Sequence, residues 1–529
     1  MKRVGSAWLV LLLVWPLWAA GRSPDAGGLS RLKNDFSGII CSLLSCYEKD
    51  RERRFLEMAI YFGEIRTHPI FELTWGKRRQ YAAAEQKLLR ESALLLQRLR
   101  SSGCPPPESE RGLCRVAHEY IQAADRDLVA ARQATSDLPV SCGLGRIQKS
   151  LASGQVLLKY VLLEDRILLF FISADAAGYE FLAVDRKEAV AMVDRLSEPL
   201  EDFADGRVDY LRIHFDLELA HRLFNVLLKR TTERFTNADE LFIIPDQELF
   251  KLPFEALVTG FNPDFQQEDV LFSEYRAAEY VIQKYKVSYF FSNADFLRHF
   301  SGPRDYPYTL AAFGHPLVHG PAPDRSLPDR RSVSTIADVP STRLEILSLE
   351  KLFSNSRRRI FLGADFNRDN FSRFAPQAKL IHLATHFFND EEDPSRSAFL
   401  FSACGATQSL CSARQILDLR LRAELVILSA CESSEKNLLG FKLLSGMTAA
   451  IRQTGVRDLI ASLWPVDEFS SQVVPLFYRE YLRGGGSATA LRGAKLALFG
   501  KTIAIQDGVR LSLAHPFLWA NYVLYHFYR

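Results

Sequence analysis

Leu425-Val-Ile-Leu-Ser-Ala-Cys-Glu, ending in Cys431 and Glu432, sets one cysteine behind a run of four apolar residues. A buried strand that delivers a thiol to its carboxyl end builds a site. A second segment of the same design, Lys379-Leu-Ile-His-Leu-Ala-Thr-His, ends in His386. An imidazole beside a thiol lowers the thiol's pKa and later protonates a leaving amine, so the two residue types suit each other chemically. Two further apolar runs end in the same way, Tyr308 to Phe313 before Gly314 and Asp458 to Leu463 before Trp464. Their alternation with helical segments predicts an α/β fold with a mostly parallel sheet covered on both faces. In such sheets ligands bind in the crevice beyond the strand carboxyl ends.

The segments Ile381-His-Leu-Ala-Thr-His, Val426-Ile-Leu-Ser-Ala-Cys-Glu and Leu459-Ile-Ala-Ser-Leu-Trp-Pro-Val-Asp-Glu belong together. With Ile244-Pro-Asp-Gln-Glu-Leu-Phe-Lys-Leu-Pro-Phe-Glu-Ala-Leu and His515-Pro-Phe-Leu-Trp-Ala-Asn-Tyr-Val-Leu, they resemble the CHAT family of caspase-like cysteine peptidases. Caspases, gingipains and separases are that family's relatives. The resemblance runs from about residue 144 to the C-terminus, with the motifs in the family's order. It implies a caspase-like three-layer fold and a cysteine endopeptidase acting on a protein or peptide substrate through a thioester acyl-enzyme. No metal and no cofactor is implied. Residue by residue, it implies that Cys431 is the nucleophile and His386 the general base and acid. The backbone amides of Cys431 and Phe387 would form the oxyanion hole. The chain departs from the family's pattern twice: Phe387-Phe388 stands where glycine usually follows the histidine, and Ser433-Ser434 where threonine and glycine usually follow the glutamate. Phenylalanine keeps its amide but does not easily take a positive φ. A ring crowding the cleft leads to the alternative reading, a catalytically silent CHAT-like module that binds a peptide or scaffolds an assembly.

Other residues near these motifs carry two readings each. Asp467 precedes the amphipathic stretch Phe469 to Leu482, where a carboxylate caps a helix. The resemblance to separase-like relatives implies instead an S1 carboxylate that holds a basic P1 residue. His382 lies four residues before His386, but on a strand that spacing makes no zinc site, and the glutamate of His-Glu-x-x-His is replaced by Leu383. Packing or hydrogen bonding within the sheet is expected for it. Asn389-Asp-Glu-Glu-Asp reads as a solvated acidic loop. Gly500-Lys-Thr is no phosphate loop, because Lys495 occupies the position that needs glycine.

Lysine plus arginine number 66 against 63 acids, a net charge of +3 that leaves no electrostatic footprint for nucleic acid. The partners expected are a protein or peptide substrate and an activating partner protein. Lys2-Arg3, the apolar run Ala7 to Trp18 and Ala19-Ala-Gly follow the pattern of a secretory signal peptide over residues 1–21. Export is therefore expected, to the periplasm, the exterior or a membrane surface, and no segment is long enough for a stable membrane span. An oxidising compartment permits disulfides among the eight cysteines, and Cys41 with Cys46, Cys104 with Cys114 and Cys404 with Cys411 are near enough to pair. Apolar positions at helical spacing predict a helical region over 30–142, without a 34-residue repeat. Residues 144–235 read as an N-terminal α/β part and 236–529 as the caspase-like catalytic domain. The proline-rich loop from His319, dibasic at Arg330-Arg331, has the composition of an exposed, cleavable segment.

Overall fold

A computed structural model of the chain describes residues 37–38, 40–41, 43–45, 47–48, 51, 53–67, 143–201, 210, 212–265, 269–300, 302, 305–317, 340–388, 396–402, 410–432, 444–464, 466–467, 469–505 and 509–528. The expected signal peptide, most of the 30–142 region, the Arg330-Arg331 loop, the acidic loop after Phe388 and Ser433-Ser434 lie outside the described residues. The chain divides into two compact units, 1–146 with 161–166, and 147–160 with 167–529. In the first, helix Arg53–Thr67 buries Leu56, Ala59 and Ile60, as their spacing predicts, and Met58 beside them. Arg53 and Glu57, one turn apart, pair at 3.1 Å.

In chain order the strands are β1 (Gln155–Leu162), β2 (Arg166–Ile172), β3 (Ala177–Asp185), β4 (Glu240–Ile244), β5 (Val258–Gly260), β6 (Glu279–Tyr280), β7 (Lys286–Phe290), β8 (Tyr308–Gly314) and β9 (Arg358–Leu362). They continue with β10 (Ala378–Phe388), β11 (Ala398–Leu400), β12 (Leu410–Ser412), β13 (Leu425–Glu432), β14 (Asp458–Ser462), β15 (Thr502–Ala504), β16 (Arg510–Ser512) and β17 (Tyr522–His526). Among the described residues, thirteen of them form one sheet ordered β12-β11-β10-β13-β14-β17-β7-β4-β1-β2-β3, with β8 paired to β10 and β9 to β8. Strands β9, β8, β10, β13 and β14 run parallel to one another. Strand β17 runs antiparallel to β14 but parallel to β7, and β7, β4 and β1 are mutually parallel. Two parallel blocks of opposite direction therefore meet at the β14–β17 seam, which bears out a mostly parallel α/β sheet. The pairing of β1 with β4 carries that sheet across residue 235.

The central strands are buried on both faces: in β10 every residue but Lys379 is buried, as expected of a covered parallel strand. Helix Pro340–Glu350 packs on β8 and β10 and against helix Val473–Leu482. Gly314 permits that approach, because a Cβ there would come 2.6 Å from Ile346 Cγ1 and 3.2 Å from the Ala384 carbonyl oxygen. Two helices follow one another before β4, Leu217–Leu227 and Lys229–Arg234. Asp216 starts the first by accepting the Leu219 amide at 2.8 Å. Cys41 and Cys411 are free thiols, so the bridges that near spacing suggested for them are not formed. Cys411 is instead buried in β12 opposite Phe399 of β11, and burial pushes its thiol up to about 12.

Candidate active site

Four strand ends lie side by side along one edge of the sheet. In the β10–β13 register His386 is the partner of Cys431, about 4.8 Å away across neighbouring strands. Both residues sit inside their strands, whereas the apolar runs alone predict that pairing stops one residue earlier. The ladder continues because β11 joins β10 antiparallel at Phe387 and Phe388, on the edge where β8 has ended opposite Ala384. His386 is buried, with 8% of its surface exposed, and the Thr385 hydroxyl next to it donates to the Leu400 carbonyl of β11 at 2.6 Å.

Phe387 is paired with Glu432 on one side and Phe399 on the other, so its amide belongs to the sheet ladder. Its ring is fully buried against Phe399, with centroids 5.4 Å apart, and strand alternation puts it on the face opposite His386. The ring therefore fills core. Asp467 accepts the Ser470 amide at 2.6 Å through Oδ1, the capping geometry its position predicts, and the Tyr210 hydroxyl donates to Oδ2. Trp464 is buried, its indole N–H donating to the Phe517 carbonyl at 3.0 Å.

Beneath this edge lies a polar cluster that the motifs do not announce. His382, packed in the sheet as its strand position predicts, brings Nε2 within 2.9 Å of Glu345 Oε1 from helix Pro340–Glu350. The two are off the line of a hydrogen bond, so the contact becomes an ion pair when the imidazole is protonated. Its Nδ1 lies 3.4 Å from the Tyr478 hydroxyl. Burial first, and then the Glu345 carboxylate, push that phenol well above its ordinary value. Ser429 of β13 donates to the other carboxylate oxygen, Oε2, at 2.8 Å. With its one proton thus used, the serine accepts from Tyr522 of β17 at 2.9 Å. His382 in its strand and a serine inside Leu-Val-Ile-Leu-Ser-Ala are the sequence signals of this cluster.

Residues 217–526, more than half of the chain, match the model of the CHAT domain. The chain belongs to the CHAT family. Two crystal structures of the Saccharomyces cerevisiae separase–securin complex are similar to it. One, at 3.0 Å resolution, superposes with a TM-score of 0.43 and 9% identity over 89% of this chain and 34% of that one. The other, at 2.6 Å resolution, gives 0.38 and 9% over 89% and 36%. The chain thus spans about a third of the length of those chains. No curated protein matches it in sequence.

Within the CHAT domain, the motif Ile244 to Leu257 and the helix Gly486–Phe499 are tied by a buried ion pair. Lys495 Nζ lies 2.7 Å from Glu255 Oε1, and Tyr289 donates to Oε2 of the same carboxylate at 2.5 Å. Burial holds the Lys495 ammonium below its ordinary pKa, with Glu255 opposing. The residue that breaks the phosphate-loop reading is thus a core cation. The motif at His515 is equally internal: its Nδ1 accepts the Phe517 amide at 3.0 Å and caps the turn Pro516–Trp519. Among the described residues no helix is long and apolar enough to cross a membrane, and no cluster of His, Cys, Asp or Glu has a metal site's composition.

Proposed function

We propose that this CHAT protein is a cysteine endopeptidase in which Cys431 is the nucleophile and His386 the general base and acid. The observation that supports the reading is the register in which the two residues are partners at the carboxyl ends of adjacent parallel strands. His386 takes the thiol proton, and the thiolate attacks the scissile carbonyl carbon. As the C–N bond breaks, the imidazolium gives its proton to the leaving amine. Water, deprotonated by the same imidazole, then attacks the thioester, and the acid and the free thiol are released. The amides of Cys431 and Phe387 are the oxyanion donors in this reading, and Phe387 reaches that role by opening the last rungs at 387–388 when substrate enters.

Selectivity for arginine at P1 belongs to the same proposal, through Asp467. An incoming guanidinium competes there with the Tyr210 hydroxyl for Oδ2, so Tyr210→Phe strengthens the preference and Asp467→Asn removes it. Export through residues 1–21 completes the reading, and the N-terminal mass of the mature chain reads it directly. The deciding experiment incubates the chain with an arginyl peptide library beside Cys431→Ala and His386→Ala, with cleavage read by mass spectrometry. Cleavage by the parent and by neither variant is the expected result. Cleavage that survives in Cys431→Ala assigns the chemistry to another residue.

A further inference from the structure

Each strand that carries a member of the proposed dyad also carries, nearer its amino end, a buried polar residue aimed at one carboxylate. On β10 it is His382, four residues before His386, with Nε2 2.9 Å from Glu345 Oε1. On β13 it is Ser429, two residues before Cys431, donating to Glu345 Oε2 at 2.8 Å. All three side chains are buried, with Ser429 3%, Glu345 4% and His382 0% exposed. A carboxylate taken out of water at that depth is costly unless charges and donors surround it. Such a group persists where it holds something in place.

We infer that Glu345 is a positioning residue: its two carboxylate oxygens clamp β10 to β13 and so fix the distance and orientation of His386 relative to Cys431. Each oxygen engages a different strand, so neither arm alone locks the pair. Strand pairing sets the register of the two backbones but leaves a slide or twist of a few tenths of an ångström, which the Ser429 hydrogen bond on β13 and the close His382 contact on β10 together restrain. Tyr522 extends the clamp to β17 by donating to the Ser429 hydroxyl, which leaves the serine proton directed at Glu345. Tyr478 closes the other flank at His382. The site's geometry thereby depends on helix Pro340–Glu350, which touches neither proposed catalytic residue through this carboxylate.

This inference rests on the dyad reading, and one experiment separates the two. Iodoacetamide alkylation of Cys431 in the full chain is followed by peptide mass mapping from pH 4 to 10, for the parent, His386→Ala, Ser429→Ala, His382→Gln and the Ser429→Ala/His382→Gln double variant. A paired thiolate gives the parent a Cys431 profile below the ordinary thiol value of about 8.5, and His386→Ala returns it there. The clamp predicts that Ser429→Ala and His382→Gln each move the profile upward and slow alkylation at neutral pH by about tenfold. It also predicts that the double variant shows less than the product of the two losses, because both arms act through Glu345. Tyr522→Phe, which leaves every direct Glu345 contact in place, is the reserve variant should Ser429→Ala fail to fold; a smaller shift in the same direction is expected. Folded variants with the parent's profile overturn the clamp and leave the dyad standing. An ordinary thiol profile in the parent that His386→Ala does not change overturns the dyad and, with it, the clamp's role.

Discussion

Lys495 shows how far the meaning of a residue depends on its depth. In the sequence it spoils a phosphate loop; in the fold it is 1% exposed and bound to a carboxylate that is itself buried. Removing one partner from such a pair leaves the other charge stranded, which costs ~3–5 kcal/mol, far more than the pair contributes net. Lys495→Met is therefore expected to lower unfolding stability by about that amount in urea titrations, since Tyr289 alone then serves Glu255. Lys495→Met combined with Glu255→Gln is expected to recover part of the loss. A single variant within about 0.5 kcal/mol of the parent would show that water reaches the carboxylate. Cysteines obey the same depth rule. Burial raises the pKa of Cys411, and likewise that of Cys41, where the Arg166 guanidinium opposes the shift. Both thiols are accordingly expected to stay unlabelled at neutral pH on the timescale that modifies Cys431, an outcome the same peptide mapping records.

Elements extend this argument to pH. His515 caps the short helix Pro516–Trp519 with a lone pair, so it must be neutral to work. Burial first, and then His214, hold its pKa well below the ordinary 6.5. As pH falls from about 6.5, the unfolded chain takes up a proton that the folded chain refuses, so stability declines by up to ~1.4 kcal/mol per pH unit until the folded pKa is reached. Above that range the contribution is fully present. His515→Asn keeps a capping oxygen and removes the titration, so its urea midpoint should fall less between pH 7 and about 5 than the parent's. Equal slopes would assign the acid sensitivity to other groups. The elements also show what could be read beforehand. Strand beginnings were legible, as at Leu425 and Tyr308, because an apolar run starts where burial starts. The ends of β10 and β13 were not, because pairing at Phe387 depends on β11, a partner that no local pattern announces. The histidine and cysteine of the proposed site were visible in their motifs. Glu345 was not: it lies on a helix with little amphipathic pattern in its sequence, and its contact with Ser429 spans 84 residues.

Within the sheet, the two parallel blocks meet along strand β17. Strand β17 lies between β14 and β7, antiparallel to the first and parallel to the second. It also brings Tyr522 to Ser429, and His526 to Asp458, where the imidazole and carboxylate lie 2.8 Å apart. Burial opposes ionisation of Asp458, yet His526, Arg457 and the Ser487 hydroxyl together hold its pKa below the ordinary value. That carboxylate contributes stability above about pH 4 and loses it as pH falls further. Ending the chain at residue 521 would remove the seam strand and leave β14 and β7 with open edges in the middle of a buried sheet. Those edges stand two strand spacings apart, about 9.6 Å, so they can pair with each other only if the two blocks move together. The truncated chain is therefore expected to lose the cooperative calorimetric transition of the parent and to aggregate. Adding residues 522–529 back as a peptide should restore the transition if the two blocks fold separately. A transition that persists in the truncated chain at the parent's temperature would mean that the blocks are held by their helices and that β17 only covers an existing core.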